Sequence, residues 1–67
     1  MKILVWQIRT TKRITLVELA KRSGIGKSTI NNIENEKVSP TLMQLESLAA
    51  ALEVHITDLF ESDWKYR

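Results

Sequence analysis

The sequence predicts a single all-α domain of five helices that covers residues 1–67. Two threonine capping boxes, Thr15–Glu18 and Thr41–Gln44, mark helix starts, and apolar residues recur at helical spacing after each of them. A chain of 67 residues has room for only one domain. Because it contains no cysteine, disulfides and thiolate metal sites are excluded, and stability has to come from helix packing, to which dimerisation could add.

The first helix is predicted over residues 3–12, with Leu4, Val5 and Ile8 on one face. The β-branched Ile3 and Val5 would also suit a strand, but no nearby segment offers a partner, so we expect a helix. The apolar run before Gln7 is shorter than the roughly 7–15 residues of a secretory signal or the about 20 of a membrane span. We therefore expect a cytoplasmic protein with no membrane association.

The second helix is predicted from the Thr15 cap to about Arg22, and the third from Lys27 to about Asn35. Leu19 and Ala20 face inward on the former, and Ile30 and Ile33 on the latter. Between them, Gly24 suits a left-handed turn and Gly26 is an acceptable helix N-cap.

The fourth helix follows Pro40 and the second capping box. Its predicted apolar stripe consists of Leu42, Leu45, Leu48, Ala49 and Leu52. Residues 54–56 are interpreted as a turn, with His55 capping the final helix or exposed. That helix is predicted over about 56–61, and residues 62–67 form a C-terminal tail.

Residues 15–35 have the pattern of a helix-turn-helix. Ala20 is small where a second helix would cross closely, and Gly24 permits a turn with positive φ. The outer face of the third helix is polar and consists of Lys27, Ser28, Asn31, Asn32 and Asn35. None of these residues is acidic or aliphatic. Such a helix fits the major groove, where asparagine can bind adenine and lysine guanine. The alternative, an ordinary solvated face, would usually include glutamate.

Charge is divided unevenly along the chain. Residues 1–37 hold eight basic and three acidic residues, a net charge of +5, whereas residues 38–67 have a net charge of −3. This asymmetry suggests one side that faces a polyanion, although solvated charge can also be uneven by chance.

The stretch from Ile8 to Phe60 resembles the Xre/Cro family of helix-turn-helix regulators. The resembling motifs are Ile8-Arg9, Ile14-Thr15, Glu18-Leu19-Ala20, Gly24-Ile25, Lys27-Ser28-Thr29-Ile30, Ile33-Glu34-Asn35, Ser39-Pro40-Thr41-Leu42, Leu45, Leu48-Ala49, Ala51-Leu52, Val54 and Asp58-Leu59-Phe60. The resemblance implies a compact five-helix lambda-repressor-like domain, major-groove binding by the third helix, and homodimers on two-fold sites.

The resemblance also implies roles for individual residues. It places Lys27, Ser28 and Asn32 at base edges, and the polarity of the third helix adds Asn31. The residues expected at phosphates are Arg13, Thr15, Thr29, Asn35 and Lys37. Arg9 and Glu34 are predicted to pair between the first and third helices; the alternative is an exposed pair that contributes almost nothing.

The chain departs from the family pattern at several turns. Leu16 stands where family members often have glutamine, and Ser23 replaces a usual apolar residue. Family members frequently have glycine after the first, third and fourth helices. This chain has Arg13, Glu36 and Glu53 at those positions. Non-glycine residues in left-handed turns cost roughly 1 kcal/mol each, so either the turns differ in geometry or the domain loses stability there.

The tail contains two large rings, Trp64 and Tyr66, for which three placements are open. They could pack near Trp6, form a dimer surface with Phe60, or belong to a disordered terminus.

The function predicted from the sequence is a bacterial or phage-encoded DNA-binding transcriptional regulator. We expect a repressor that binds double-stranded DNA as a weak homodimer, with no catalytic residues, metal, cofactor or small-molecule ligand, since no nucleophile–base pair or phosphate loop is present. The alternative is an antitoxin- or adaptor-like protein-interaction module, in which the acidic C-terminal half and Trp64 bind a protein and DNA binding is weak or lost.

Overall fold

The computed structural model describes residues 1–64, which form four α-helices and a two-stranded sheet. The elements in chain order are β1 (Lys2–Ile3), α1 (Val5–Thr11), α2 (Leu16–Ser23), α3 (Lys27–Glu34), α4 (Leu42–Leu52), a 3-10 turn (Ile56–Leu59) and β2 (Phe60–Glu61). No helix in this part of the chain has the length and apolarity needed to cross a bilayer.

The two ends of the chain pair as an antiparallel ribbon, and the prediction of five helices was wrong in this respect. Lys2 lies opposite Glu61 and Ile3 opposite Phe60, while the Leu4 N–H donates to the Leu59 carbonyl at 2.8 Å. The first helix therefore begins at Val5 instead of residue 3. The segment predicted as a final helix is one 3-10 turn followed by β2, because its backbone pairs with the chain start.

Apolar residues from every element form one core. Its fully buried members are Val5, Leu19, Ile30, Ile33, Leu48 and Leu59, with Ile3, Leu45, Ala49 and Leu52 almost completely buried. Leu42, predicted on the apolar stripe of α4, is instead 75% exposed, and Met43 is 79% exposed. The first turn of α4 thus extends past the edge of the core formed by residues 1–64.

Threonine N-caps start α2 and α4 as predicted, but only the second capping box is complete. Thr41 Oγ1 accepts from the Gln44 N–H at 3.0 Å, and Gln44 Oε1 accepts from the Thr41 N–H at the same distance. Thr15 Oγ1 accepts from the Glu18 N–H at 3.1 Å, whereas the Glu18 carboxylate turns to Arg22 instead of closing the box.

Three turns adopt a left-handed conformation without glycine. Arg13, Glu36 and Glu53 have φ values of 59°, 55° and 58°. The geometry of these turns is therefore the one that usually selects glycine, and each costs roughly 1 kcal/mol of stability. The 3-10 turn Ile56–Leu59 has its own N-cap. The His55 N–H donates to Asp58 Oδ2 at 3.0 Å, so His55 caps this turn.

Candidate nucleic-acid interface

The turn between α2 and α3 is held by hydrogen bonds at both of its ends. Gly24 has φ 74° and donates its N–H to the Ala20 carbonyl at 3.0 Å, which closes α2. The Ser23 hydroxyl accepts from the Ile25 N–H at 3.2 Å. Ser23 therefore contributes a hydrogen bond where an apolar side chain would contribute packing. Gly26 is the N-cap of α3, as predicted.

The packing of α3 leaves one polar face free. Ile30 and Ile33 are completely buried and anchor the opposite face of the helix. The exposed side chains are Lys27, Ser28, Asn31 and Asn35, with Thr29 and Asn32 half-buried beside them. Lys27 is the one charged residue of this face in the described structure, because Glu34, the only acid of α3, turns inward.

Glu34 forms a bidentate ion pair with Arg9 of α1. Arg9 Nε donates to Glu34 Oε2 at 2.7 Å and Arg9 Nη2 to Oε1 at 3.0 Å, and the two side chains are only 13% and 5% exposed. Arg9 Nη1 also donates to the Ile14 carbonyl at 3.1 Å, next to the Thr15 cap of α2. One guanidinium thus connects α1, the start of α2 and the end of α3, and it removes a negative charge from the polar face.

A helix-turn-helix family model matches residues 7–59 of the sequence. The chain belongs to the Xre/Cro family. Two curated relatives of this family are the immunity repressor protein of Bacillus phage phi105, 32% identical over 50 residues, and the HTH-type transcriptional regulator SinR of Bacillus subtilis strain 168, 36% identical over 56 residues. The matches cover 75% and 82% of this chain but 35% and 50% of those relatives, so the chain spans half their length or less.

Solved structures of the family have the same architecture. The restriction-modification controller protein C.AhdI from Aeromonas hydrophila superposes with a TM-score of 0.81 at 28% identity, covering 84% of this chain and 85% of that one. The N-terminal DNA binding domain of SinR from Bacillus subtilis superposes with a TM-score of 0.78 at 31% identity, covering 91% of this chain and 90% of the domain.

Two of the residues expected at phosphates, Arg13 and Lys37, lie in the loops that precede α2 and follow α3. Arg13 is exposed in the turn before α2, and Lys37 is exposed in the loop after α3. The Thr15 hydroxyl oxygen is occupied by the cap of α2, which leaves its hydrogen available to donate. Leu16, the family's frequent glutamine position, is half-buried against the core and adds nothing polar to this surface.

The residues expected at a dimer surface differ in exposure. Phe60 is half-buried in β2, whereas Trp64 is 84% exposed; Tyr66 lies outside the described residues. Trp6, the other ring considered as a neighbour of the tail, is 52% exposed. Within residues 1–64, no group of three or more acidic or histidine side chains could hold a metal ion.

Proposed function

We propose that this chain is a DNA-binding transcriptional regulator, a repressor, that reads the major groove with α3. The observation that carries the proposal is the face of α3, which is polar, contains no acid and is held rigidly by buried isoleucines and the Arg9–Glu34 pair. Support comes from the family relatives, which include an immunity repressor and a transcriptional regulator.

In this proposal two sets of residues contact the duplex. Lys27, Ser28, Asn31 and Asn32 lie at base edges, where their donors and acceptors match the major-groove pattern. The phosphate set consists of Arg13, Thr15, Thr29, Asn35 and Lys37, and the net charge of +5 over residues 1–37 adds a salt-dependent attraction. The chain acts on DNA in the cytoplasm and carries out no catalysis.

We further propose a weak homodimer on a two-fold operator. One recognition helix reads only about 3–5 base pairs, too few to single out a site among ~10⁶ positions, and two copies placed roughly 34 Å apart would double the reading. The proposed contact consists of Phe60, the exposed ring of Trp64 and Tyr66. Gel shifts across protein concentration test this: a two-fold site should bind cooperatively, and tight binding of one copy to a half-site would contradict the dimer.

Selection of binding sites from random DNA tests the proposal as a whole. The wild-type protein should enrich one motif with two-fold symmetry, and gel shifts should show that its affinity falls steeply with salt. The rival function, a protein-interaction module, is favoured by the exposure of Leu42, Met43 and Trp64, which are 75%, 79% and 84% exposed. Failure to enrich any motif, at low as well as moderate salt, would favour that rival.

A further inference from the structure

Two asparagines on the polar face of α3 are joined by a side-chain hydrogen bond. Asn35 Nδ2 donates to Asn31 Oδ1 at 3.3 Å, and the Asn35 backbone N–H donates to the Asn31 carbonyl at 3.0 Å. The two residues are four positions apart, so their side chains lie one above the other on the helix surface. Both are exposed on the face that the proposed function assigns to DNA.

This bond gives the Asn31 amide a direction. An asparagine side chain has an acceptor oxygen at one end and an NH2 donor at the other. Asn35 engages one of the two lone pairs of the Asn31 oxygen and holds that end of the amide towards itself, whereas both hydrogens of the NH2 group at the other end remain available. Lys27 lies four residues before Asn31 on the same side of the helix, and its ammonium group has only donors. The strip formed by Lys27, Asn31 and Asn35 therefore offers hydrogen-bond donors at Lys27 and at Asn31.

Base edges differ in what they offer to such a strip. Guanine presents two acceptors in the major groove, O6 and N7, whereas adenine presents one acceptor, N7, and one donor, N6. Binding adenine in a bidentate way requires both ends of an asparagine amide. An asparagine whose oxygen is already engaged has lost part of that ability and retains the ability to donate.

We propose that Asn35 is a positioning residue that turns the NH2 group of Asn31 towards the groove, so that Asn31 reads guanine in preference to adenine. This inference rests on the proposed function, because it concerns which base the same face selects. Asn35 would act through Asn31, whatever contact its own side chain makes with a phosphate.

The test is selection from random DNA with wild type, Asn31→Ala, Asn35→Ala, Asn35→Asp and Lys37→Ala. Asn31→Ala should identify the position that Asn31 reads, because the base preference there becomes flat. At that position the wild type should prefer guanine to adenine by about two- to tenfold, the equivalent of one net hydrogen bond. Asn35→Ala should reduce this preference, since it frees the Asn31 amide to rotate.

Asn35→Asp gives the sharpest readout. A carboxylate has no donor, so it would attract the NH2 group of Asn31 and leave the oxygen facing the groove. The preferred base should then change to adenine or cytosine, which present N6 and N4 donors. Lys37→Ala is the matched control, because it changes the charge by the same amount two residues away without touching Asn31. It should weaken binding to all sequences and leave the base preference unchanged.

Three results would overturn the inference. The first is a wild-type preference for adenine at the Asn31 position, and the second is a guanine preference that Asn35→Asp leaves intact. The third is the same change of preference in Lys37→Ala, which would assign the effect to charge alone. If the wild type enriches no motif, the proposed function fails first, and the two failures are thereby distinguished.

Discussion

The half of the domain that contains α2 and α3 is held by different interactions from the half that contains α4 and β2. In the former, directional polar contacts set the geometry: the Thr15 cap, the Ser23 hydrogen bond and the Arg9–Glu34 pair. Both halves contribute buried residues to the core, but in the latter Leu45, Leu48, Leu52 and Leu59 pack together with the helix caps and the backbone hydrogen bonds of the β1–β2 ribbon as their polar support. Apolar burial supplies most of the stability, while directional bonds fix orientation. Substitutions in the α4 half should therefore change mainly the free energy of unfolding, whereas substitutions at the polar contacts of the α2–α3 half should also change DNA binding.

The largest effect on stability is expected where a completely buried core side chain is shortened, and α4 offers both such a residue and an exposed leucine as its control. Leu48 is completely buried, so Leu48→Ala should lower the free energy of unfolding by about 2–5 kcal/mol. In the same helix Leu42 is 75% exposed, and Leu42→Ala should change the free energy of unfolding by less than about 0.5 kcal/mol. Urea denaturation of both variants measures the difference. Equal losses would mean that the first turn of α4 is buried in solution.

The next effect tests whether the polar half is held by Arg9. Arg9→Ala should cost about 2–3 kcal/mol, between the values for exposed and fully buried pairs, because it leaves Glu34 buried without its partner. A double-mutant cycle with Glu34→Ala should give a coupling energy above about 1 kcal/mol.

The exposed Glu18–Arg22 pair is the matched control for this cycle. Its side chains are 46% and 45% exposed, and its coupling should be about 0.3–0.5 kcal/mol. Arg9→Ala should also weaken specific DNA binding at temperatures where the variant is folded, since α3 loses one of its attachments. Additive single substitutions at Arg9 and Glu34 would place this pair in the same class as the control.

A smaller effect, on binding instead of folding, is expected at the polar face. Asn32→Ala should weaken specific DNA binding by about 1–3 kcal/mol and leave binding to random DNA nearly unchanged, because a base contact is lost. Equal losses of affinity for specific and random DNA would remove Asn32 from the set of base-reading residues.

The substitution Lys27→Ala decides between two roles of the Lys27 ammonium group. A lower salt slope with unchanged specificity indicates a phosphate contact, whereas relaxed specificity indicates a base contact.

The two halves also differ in how far local sequence predicts them. The α2–α3 unit follows from signals that lie within a few residues of each other, such as Thr15 before Glu18 and the left-handed Gly24. The β1–β2 ribbon joins residues from opposite ends of the chain, so no local pattern around Ile3 could reveal its partner. The exposure of Leu42 has the same cause, because where the core ends depends on how distant elements pack. Among the site residues, the hydrogen bond between Asn31 and Asn35 was also missed, although their spacing of four on one helix permits it.

The left-handed turns allow the same substitution to be made in both halves. Arg13 in the α2–α3 half and Glu53 in the α4 half have φ values of 59° and 58° and exposed side chains. A left-handed residue with a Cβ costs roughly 1–2 kcal/mol, and glycine gives back about 0.4–1 kcal/mol through the entropy of the unfolded chain. Relief of the turn is the larger effect, so Arg13→Gly and Glu53→Gly should each raise the free energy of unfolding by about 0.5–1 kcal/mol.

DNA binding should separate these two variants. Glu53→Gly should bind DNA as the wild type does, whereas Arg13→Gly removes a positive charge beside the proposed duplex and should lower the salt slope by about one unit. Gly24→Ala serves as the opposite control: open space surrounds its Cβ position, so the loss of stability it causes contains no steric clash and measures left-handed strain minus the entropy that alanine removes from the unfolded chain. If Arg13→Gly gains stability and keeps the wild-type salt slope, Arg13 does not contact phosphate and leaves the proposed phosphate set.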